Sequence, residues 1–192
     1  MKVLSVNGSS HVKGGTAHAL SIVEGSLKGY GTETSRFQLG NKPVRGCIDC
    51  GSCEKNNRCI FNDDICNDQI GAILDADAVV IGTPVYFAAP NGALTAVPDR
   101  VFYAASTHGR LFEGKPAAAV AGFYRSGGNS AIDRINKYFA FSGMPIVTSN
   151  YRNLMFAPES FVPDDEMGRK TMEELGKNMA DLLKKRDGQY EA

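Results

Sequence analysis

Short apolar runs bounded by turn-forming residues alternate along this chain with longer segments of helical period, and that alternation limits the possible folds more than any other feature. The clearest run is DAVVIGTP at 77–84. Its β-branched residues and short length predict a strand buried on both faces. KVLSV at 2–6, ETSRFQL at 33–39, PAAAVAGFY at 116–124 and PIVTS at 145–149 read as four more strands. Between and after them the pattern predicts helices at 16–31, from Asp63 or Asp64 to Leu74, at 91–106, at 129–143 and at 163–186. Strand followed by helix, five times over, implies an α/β fold: a doubly wound five-stranded parallel sheet with helices on both faces. The 192 residues suit one domain, 1–192, carrying a cysteine-rich insertion at 44–62.

In such a sheet, ligands bind beyond the carboxyl ends of the strands, where the winding reverses. The loop after the first strand, NGSSHVKGGTAHAL, offers Ser9, Ser10, His11, Lys13, Gly14, Gly15 and Thr16 ahead of a helix. Small residues expose backbone N–H groups, hydroxyls add donors, and a helix N-terminus adds partial positive charge, so the loop reads as a phosphate cradle. It has neither Gly-Lys-Ser/Thr nor G-x-G-x-x-G, which argues against ATP and against a dinucleotide. A polar turn with a helix cap is the plain alternative. The loop after the third strand, GTPVYFAAPNGAL, places Pro84, Val85, Tyr86, Phe87 and Ala88 at the same edge. That apolar, aromatic stretch suits a flat ring. A phosphate cradle beside a ring wall suggests FMN.

The chain's 21 basic and 21 acidic side chains cancel. No long-range field therefore favours nucleic acid or an anionic membrane. The first apolar run is too short for a signal-peptide core, and no run approaches a membrane span, so a cytoplasmic protein is expected. In a reducing cytosol, five cysteines point to metal or redox chemistry rather than to disulfides. Four of them, Cys47, Cys50, Cys53 and Cys59, fall within RGCIDCGSCEKNNRCIFNDD. Cys66 lies on the apolar side of the next helix and reads as a core residue. No G-x-S-x-G elbow or Ser/His/Asp arrangement is visible, which argues against hydrolysis.

Taken in order, GSSHVKGGT, the C-x2-C-x2-C-x5-C run with its Asp63-Asp64, GTPVYFAAPNGAL ending at Asp99-Arg100, and GFYRSGGN resemble the flavodoxin-like NADPH-dependent FMN reductases, and among them the iron–sulfur flavoproteins. The likeness covers residues 1–150, and the cysteine spacing is its most specific element. It implies a flavodoxin-like fold, a homodimer or homotetramer, FMN at the sheet edge, and a [4Fe–4S] cluster on Cys47, Cys50, Cys53 and Cys59. Carried over position by position, it implies that Ser9, His11, Gly15 and Thr16 meet the FMN phosphate and Pro84 to Ala88 meet the ring. Gly122, Arg125, Gly127 and Gly128 would border the ring from the fourth loop, while Asp99 and Arg100 would be structural. Ser10 and His11 stand where related loops carry Pro-Arg, leaving Lys13 to compensate. Pro98, within the third helix, is expected to kink it or restrict its start.

The cysteine spacing suits a compact cluster, because short spacers with Gly46 and Gly51 let a loop turn its sulfurs inward. A zinc site and an unmetallated thiol loop remain alternatives. A zinc ribbon would separate two C-x2-C pairs more widely. The expected activity is an FMN-dependent oxidoreductase moving electrons between NAD(P)H or ferredoxin and a small acceptor such as a quinone. The chemistry would be borne by the flavin, with no catalytic side chain. Rival readings are a non-enzymatic electron carrier docking on a redox protein and an FMN dehydrogenase of one small metabolite.

Overall fold

The computed structural model describes residues 1–157 and 165–188. In chain order it contains β1 (Lys2–Asn7), α1 (Gly15–Gly29), β2 (Glu33–Gln38), a short 3-10 turn (Ser52–Lys55), α2 (Cys66–Leu74), β3 (Ala78–Tyr86), β4 (Ala89–Pro90), α3 (Gly92–Ser106), β5 (Ala117–Phe123), α4 (Gly128–Phe141), β6 (Leu154–Phe156) and α5 (Glu166–Arg186). The parallel strands lie in the order β2-β1-β3-β5-β6, and the two-residue β4 pairs antiparallel with β3. Five parallel strands are thus present as the sequence implies, with β4 as a sixth.

Alternation along the strands decides which helices cover which face. Leu4, Val6, Val79, Ile81 and Ala119 point toward α2, α3 and α4, where Ile70, Val97, Val101 and Ile135 meet them. Val3, Val80, Ala118 and Val120 point the other way, onto Leu20 and Val23 of α1 and Met172, Leu175 and Met179 of α5. Both faces are dry, which is why the central strand reads as a continuous apolar run. No helix among the described residues is long and apolar enough to cross a membrane.

The last strand is not where the periodicity places it. Segment 145–149 makes only an isolated bridge, Ala117 with Ile146. The chain then leaves the sheet edge and returns as β6. Asn153 explains the detour: its side chain accepts from the Ser149 N–H at 3.0 Å and donates to the Ala119 carbonyl at 3.0 Å, satisfying β5 where a ladder partner is missing. Helix α2 begins at Cys66 rather than at Asp63 or Asp64. Asp64 still serves its start by accepting from the Cys66 N–H at 3.2 Å. Helix α3 runs continuously through Pro98. Helix α5 carries Glu166 in its first turn and Lys184, Lys185 and Arg186 in its last, as the helix dipole favours. Its expected start at Pro163 lies outside the described residues.

Candidate cofactor edge and cysteine cleft

Three loops leave the carboxyl ends of the neighbouring strands β1, β3 and β5, so the winding brings the cradle, the aromatic loop and the GFYRSGGN loop to one edge. The cradle is organised by side chains that motif reading passed over. Asn7, fully buried at the end of β1, donates to the His11 carbonyl at 3.1 Å and to Gln38 Oε1 at 2.7 Å, and accepts from the Ser9 N–H at 3.2 Å. Gln38 in turn donates to the Ser9 carbonyl at 2.6 Å, and Asn91 donates to the Gly8 carbonyl. A polar residue ending an otherwise apolar strand was the available signal for Asn7.

Ser9, Gly14, Gly15 and Thr16 are buried in this loop, whereas Ser10, His11 and Lys13 are exposed. Ser9 uses its hydroxyl to accept from the His11 N–H at 3.0 Å. Gly15 is small for a packing reason, since a Cβ there would overlap Ala157. Helix α1 has no side-chain cap and no acidic residue in its first turn. Its first amides are thus available to an anion, the donor chemistry a phosphate needs.

Strands β3 and β4 form a hairpin through the pairs Val85 with Pro90 and Tyr86 with Ala89. The two connecting residues, Phe87 and Ala88, have φ of 50° and 61°. Positive φ at both positions is the geometry of a type I′ turn, which prefers Asn-Gly. Here it throws the Phe87 ring wholly into solvent, at 105% relative exposure. Pro84 is buried behind it and Tyr86 is exposed beside it. From β5, Gly122 lies against Thr16, Gly128 against Leu154, and Gly127, at φ 85°, directly against Ala88. Arg125 lies 5.6 Å from the Tyr124 ring centroid. The sixteen residues expected at a flavin thus fall on one strand edge, and the edge offers an uncapped helix terminus next to exposed rings.

The cysteines lie elsewhere, against the later turns of α3. Cys47, Cys50, Cys53 and Cys59 all line one narrow cleft, together with Ile48, Phe61, Arg100 and Tyr103. Between the three leading cysteines that line this cleft, the backbone is left-handed at Asp49 (φ 52°) and Gly51 (φ 68°). Among the described residues no three His, Cys, Asp or Glu side chains are gathered closely enough to hold a metal ion. The thiols share a cleft without closing on a common point. As four soft donors with a buried cation beside them, they fit a polythiolate-bound iron–sulfur group better than a hard metal.

The cysteine segment is held by polar side chains of α2, of α3 and of the residue that follows α3. Asn67 accepts from the Cys59 N–H at 2.9 Å and donates to the Cys59 carbonyl at 2.9 Å and the Phe61 carbonyl at 3.2 Å. Thr107 donates to the Cys53 carbonyl at 3.3 Å. Arg100, 2% exposed, pairs with Asp64 and donates to Cys59 Sγ. The resemblance implied a structural role for Arg100, and the structure puts it inside the cleft. Asp99 does join helices, accepting from Tyr138 and Arg134 of α4.

Hydrogen bonds from Ser52 pull the Cys50 thiol below its ordinary range. Burial pushes Cys53 up and drives Cys66 up to about 12. Cys66 is a core thiol on α2 and does not line the cleft. For Asp64, burial acts to raise the carboxyl, but the Arg100 and Cys66 hydrogen bonds prevail and leave it lowered.

The model of the NADPH-dependent FMN reductase family matches residues 1–159. An iron–sulfur flavoprotein of Methanocaldococcus jannaschii is 28% identical over 193 residues, covering 96% of this chain and 98% of its own. Among solved structures, a flavone reductase superposes with a TM-score of 0.72 at 16% identity, covering 100% of this chain and 66% of its own. The NAD(P)H:acceptor oxidoreductase FerB of Paracoccus denitrificans gives 0.68 at 18% identity, covering 96% and 97%. Likeness at these identities speaks to the fold.

Proposed function

The chain belongs to the NADPH-dependent FMN reductase family, and from that premise we propose an FMN-dependent oxidoreductase that also holds a [4Fe–4S] cluster. The observation that carries the reading is the shared cleft of Cys47, Cys50, Cys53 and Cys59 on the flank of the helix whose N-terminus abuts the cradle. In this reading Ser9, Ser10, His11, Lys13 and the first amides of α1, at Gly15 and Thr16, hold the FMN phosphate. Pro84 to Ala88 wall one side of the ring, and Gly122, Arg125, Gly127 and Gly128 border it from β5. Bound FMN would exchange two electrons with NAD(P)H and single electrons with the cluster. The side chains bind, orient and exclude water, and none acts as acid or base. NAD(P)H or reduced ferredoxin is the proposed donor, a quinone-like small molecule the acceptor, and a homodimer or homotetramer the working form.

Ile48 and Ile60 flank the cysteine cleft at 63% and 57% exposure. That apolar rim favours a second reading, an electron carrier that docks on a redox protein. Anaerobic purification with iron, sulfide and flavin analysis tests the first part. About four iron and four sulfide per chain with one FMN is expected, and one zinc per chain would refute the cluster. Flavin bleaching by NADPH supports the reductase, whereas bleaching by reduced ferredoxin alone supports the carrier.

A further inference from the structure

Arg100 uses its fork of donors in an uneven way. Nη1 donates to the Asp64 carboxylate and to the Arg45 carbonyl at 3.2 Å. Nε and Nη2 both donate to one atom, Cys59 Sγ, at 3.3 and 3.1 Å. The Phe61 ring lies 5.7 Å from the guanidinium carbon. A side chain that only fastened the segment to α3 would be served by the carboxylate and the carbonyl. Two charged donors on a single sulfur form the arrangement that suits a ligating thiolate. A buried cation is costly unless paired, and Asp64, 5% exposed, supplies the pairing. Cys59 therefore faces a positive group whose field is offset by one carboxylate.

Hydrogen bonds to ligand sulfurs and local net charge are main determinants of iron–sulfur potentials. We infer that Arg100 is a positioning residue that fixes Cys59 and raises the reduction potential of the group held in the cysteine cleft, with Asp64 acting in the opposite sense. The inference rests on the cluster reading above. Reduction adds one electron to the cluster from an external reductant, with no bond made or broken and no proton moved at Arg100. The extra negative charge is stabilised by the guanidinium and opposed by the carboxylate.

The test compares the full-length anaerobic protein with Arg100→Lys, which keeps the charge but cannot reach sulfur, carbonyl and carboxylate together, and with the near-isosteric Asp64→Asn. Each is titrated with dithionite while cluster absorbance and paramagnetic signal are followed. Iron, sulfide and FMN per chain and Tm are measured alongside. Arg100→Lys should shift the one-electron equilibrium about tenfold toward the oxidised form, about 59 mV lower, and Asp64→Asn about tenfold the other way. If Arg100→Lys does not fold, the upward shift in Asp64→Asn decides the matter. A purely structural role predicts loss of iron or Tm with an unmoved potential in the loaded fraction, and that result, or shifts of both variants in one direction, overturns the inference. A wild-type protein without iron and sulfide overturns the cluster reading and this inference with it, whereas a loaded wild type with unshifted variants overturns the inference alone.

Discussion

Gly127 stands so close to Ala88 that a side chain on the glycine would lie within 2.7 Å of the Ala88 Cβ and would overlap its Cα. The loops leaving β3 and β5 are thus in contact at their tips, and the glycine is also left-handed, at φ 85°. Gly127→Ala combines about 1–2 kcal/mol of backbone strain with that overlap. We expect a lower Tm and weaker FMN binding by fluorescence titration. Unchanged affinity would show that the two loops do not form one wall.

The hairpin tip should be improvable at the expense of ligand contact. Replacing Phe87 by Asn together with Ala88 by Gly installs the residue pair that the turn prefers. A gain of about 1 kcal/mol, or a Tm roughly 2–4 °C higher, is expected, along with poorer FMN affinity. A fall in Tm would mean that the Phe87 ring contributes to packing despite its exposure.

Tyr86 and Tyr30 are both exposed tyrosines, at 42% and 39%, but only Tyr86 lies at the carboxyl edge of the sheet. Tyr86→Ala should weaken FMN binding several-fold, while Tyr30→Ala at the end of α1 should leave it unaltered. Equal losses in equilibrium dialysis would move the pocket away from the hairpin.

Asp77 joins the start of β3 to both chain ends of the core, accepting from the Lys2 N–H at 2.8 Å and from Arg186 of α5 at 3.2 Å. The Lys2 hydrogen bond, aided by Arg186, holds the carboxyl below its ordinary value. A carboxyl depressed in the folded state stabilises the protein above its unfolded pKa of about 3.9, and the benefit fades as pH falls through the folded value. Asp77→Asn should therefore lower Tm at neutral pH, with the gap to wild type closing below about pH 4. A gap independent of pH would assign the effect to packing. Because Asp77 is partly exposed, the difference should be modest.

Legibility in the sequence followed burial. β3 is readable because both of its faces are dry, so its composition alone marks it. β6 is not, since three residues, LMF, carry little pattern, and the competing segment PIVTS is longer and rich in β-branched residues while making a single bridge. The cradle and the aromatic loop announce themselves by residue type, because donors and rings sit consecutively in the chain. Arg100 does not, as its partners Asp64 and Cys59 lie 36 and 41 residues away and only the fold joins them. Asn7 and Asn67 escaped although their backbone partners lie nearby in the chain, because an asparagine by itself says nothing of where its hydrogen bonds go; Asn153 also reaches the Ala119 carbonyl, 34 residues away.

The cysteine segment is tied to the rest of the protein by hydrogen bonds that reach Arg100, Asn67, Thr107 and His108, and Cys53 is buried against the core, while β1 pairs with β2 and β3 in registers that include none of its residues. None of those anchoring residues belongs to the ladders that join the parallel strands. A lineage could shorten it, strip its thiols or fit another loop in its place while keeping the sheet and its carboxyl edge intact. One framework could in this way supply both flavin proteins with a second redox centre and flavin proteins without one.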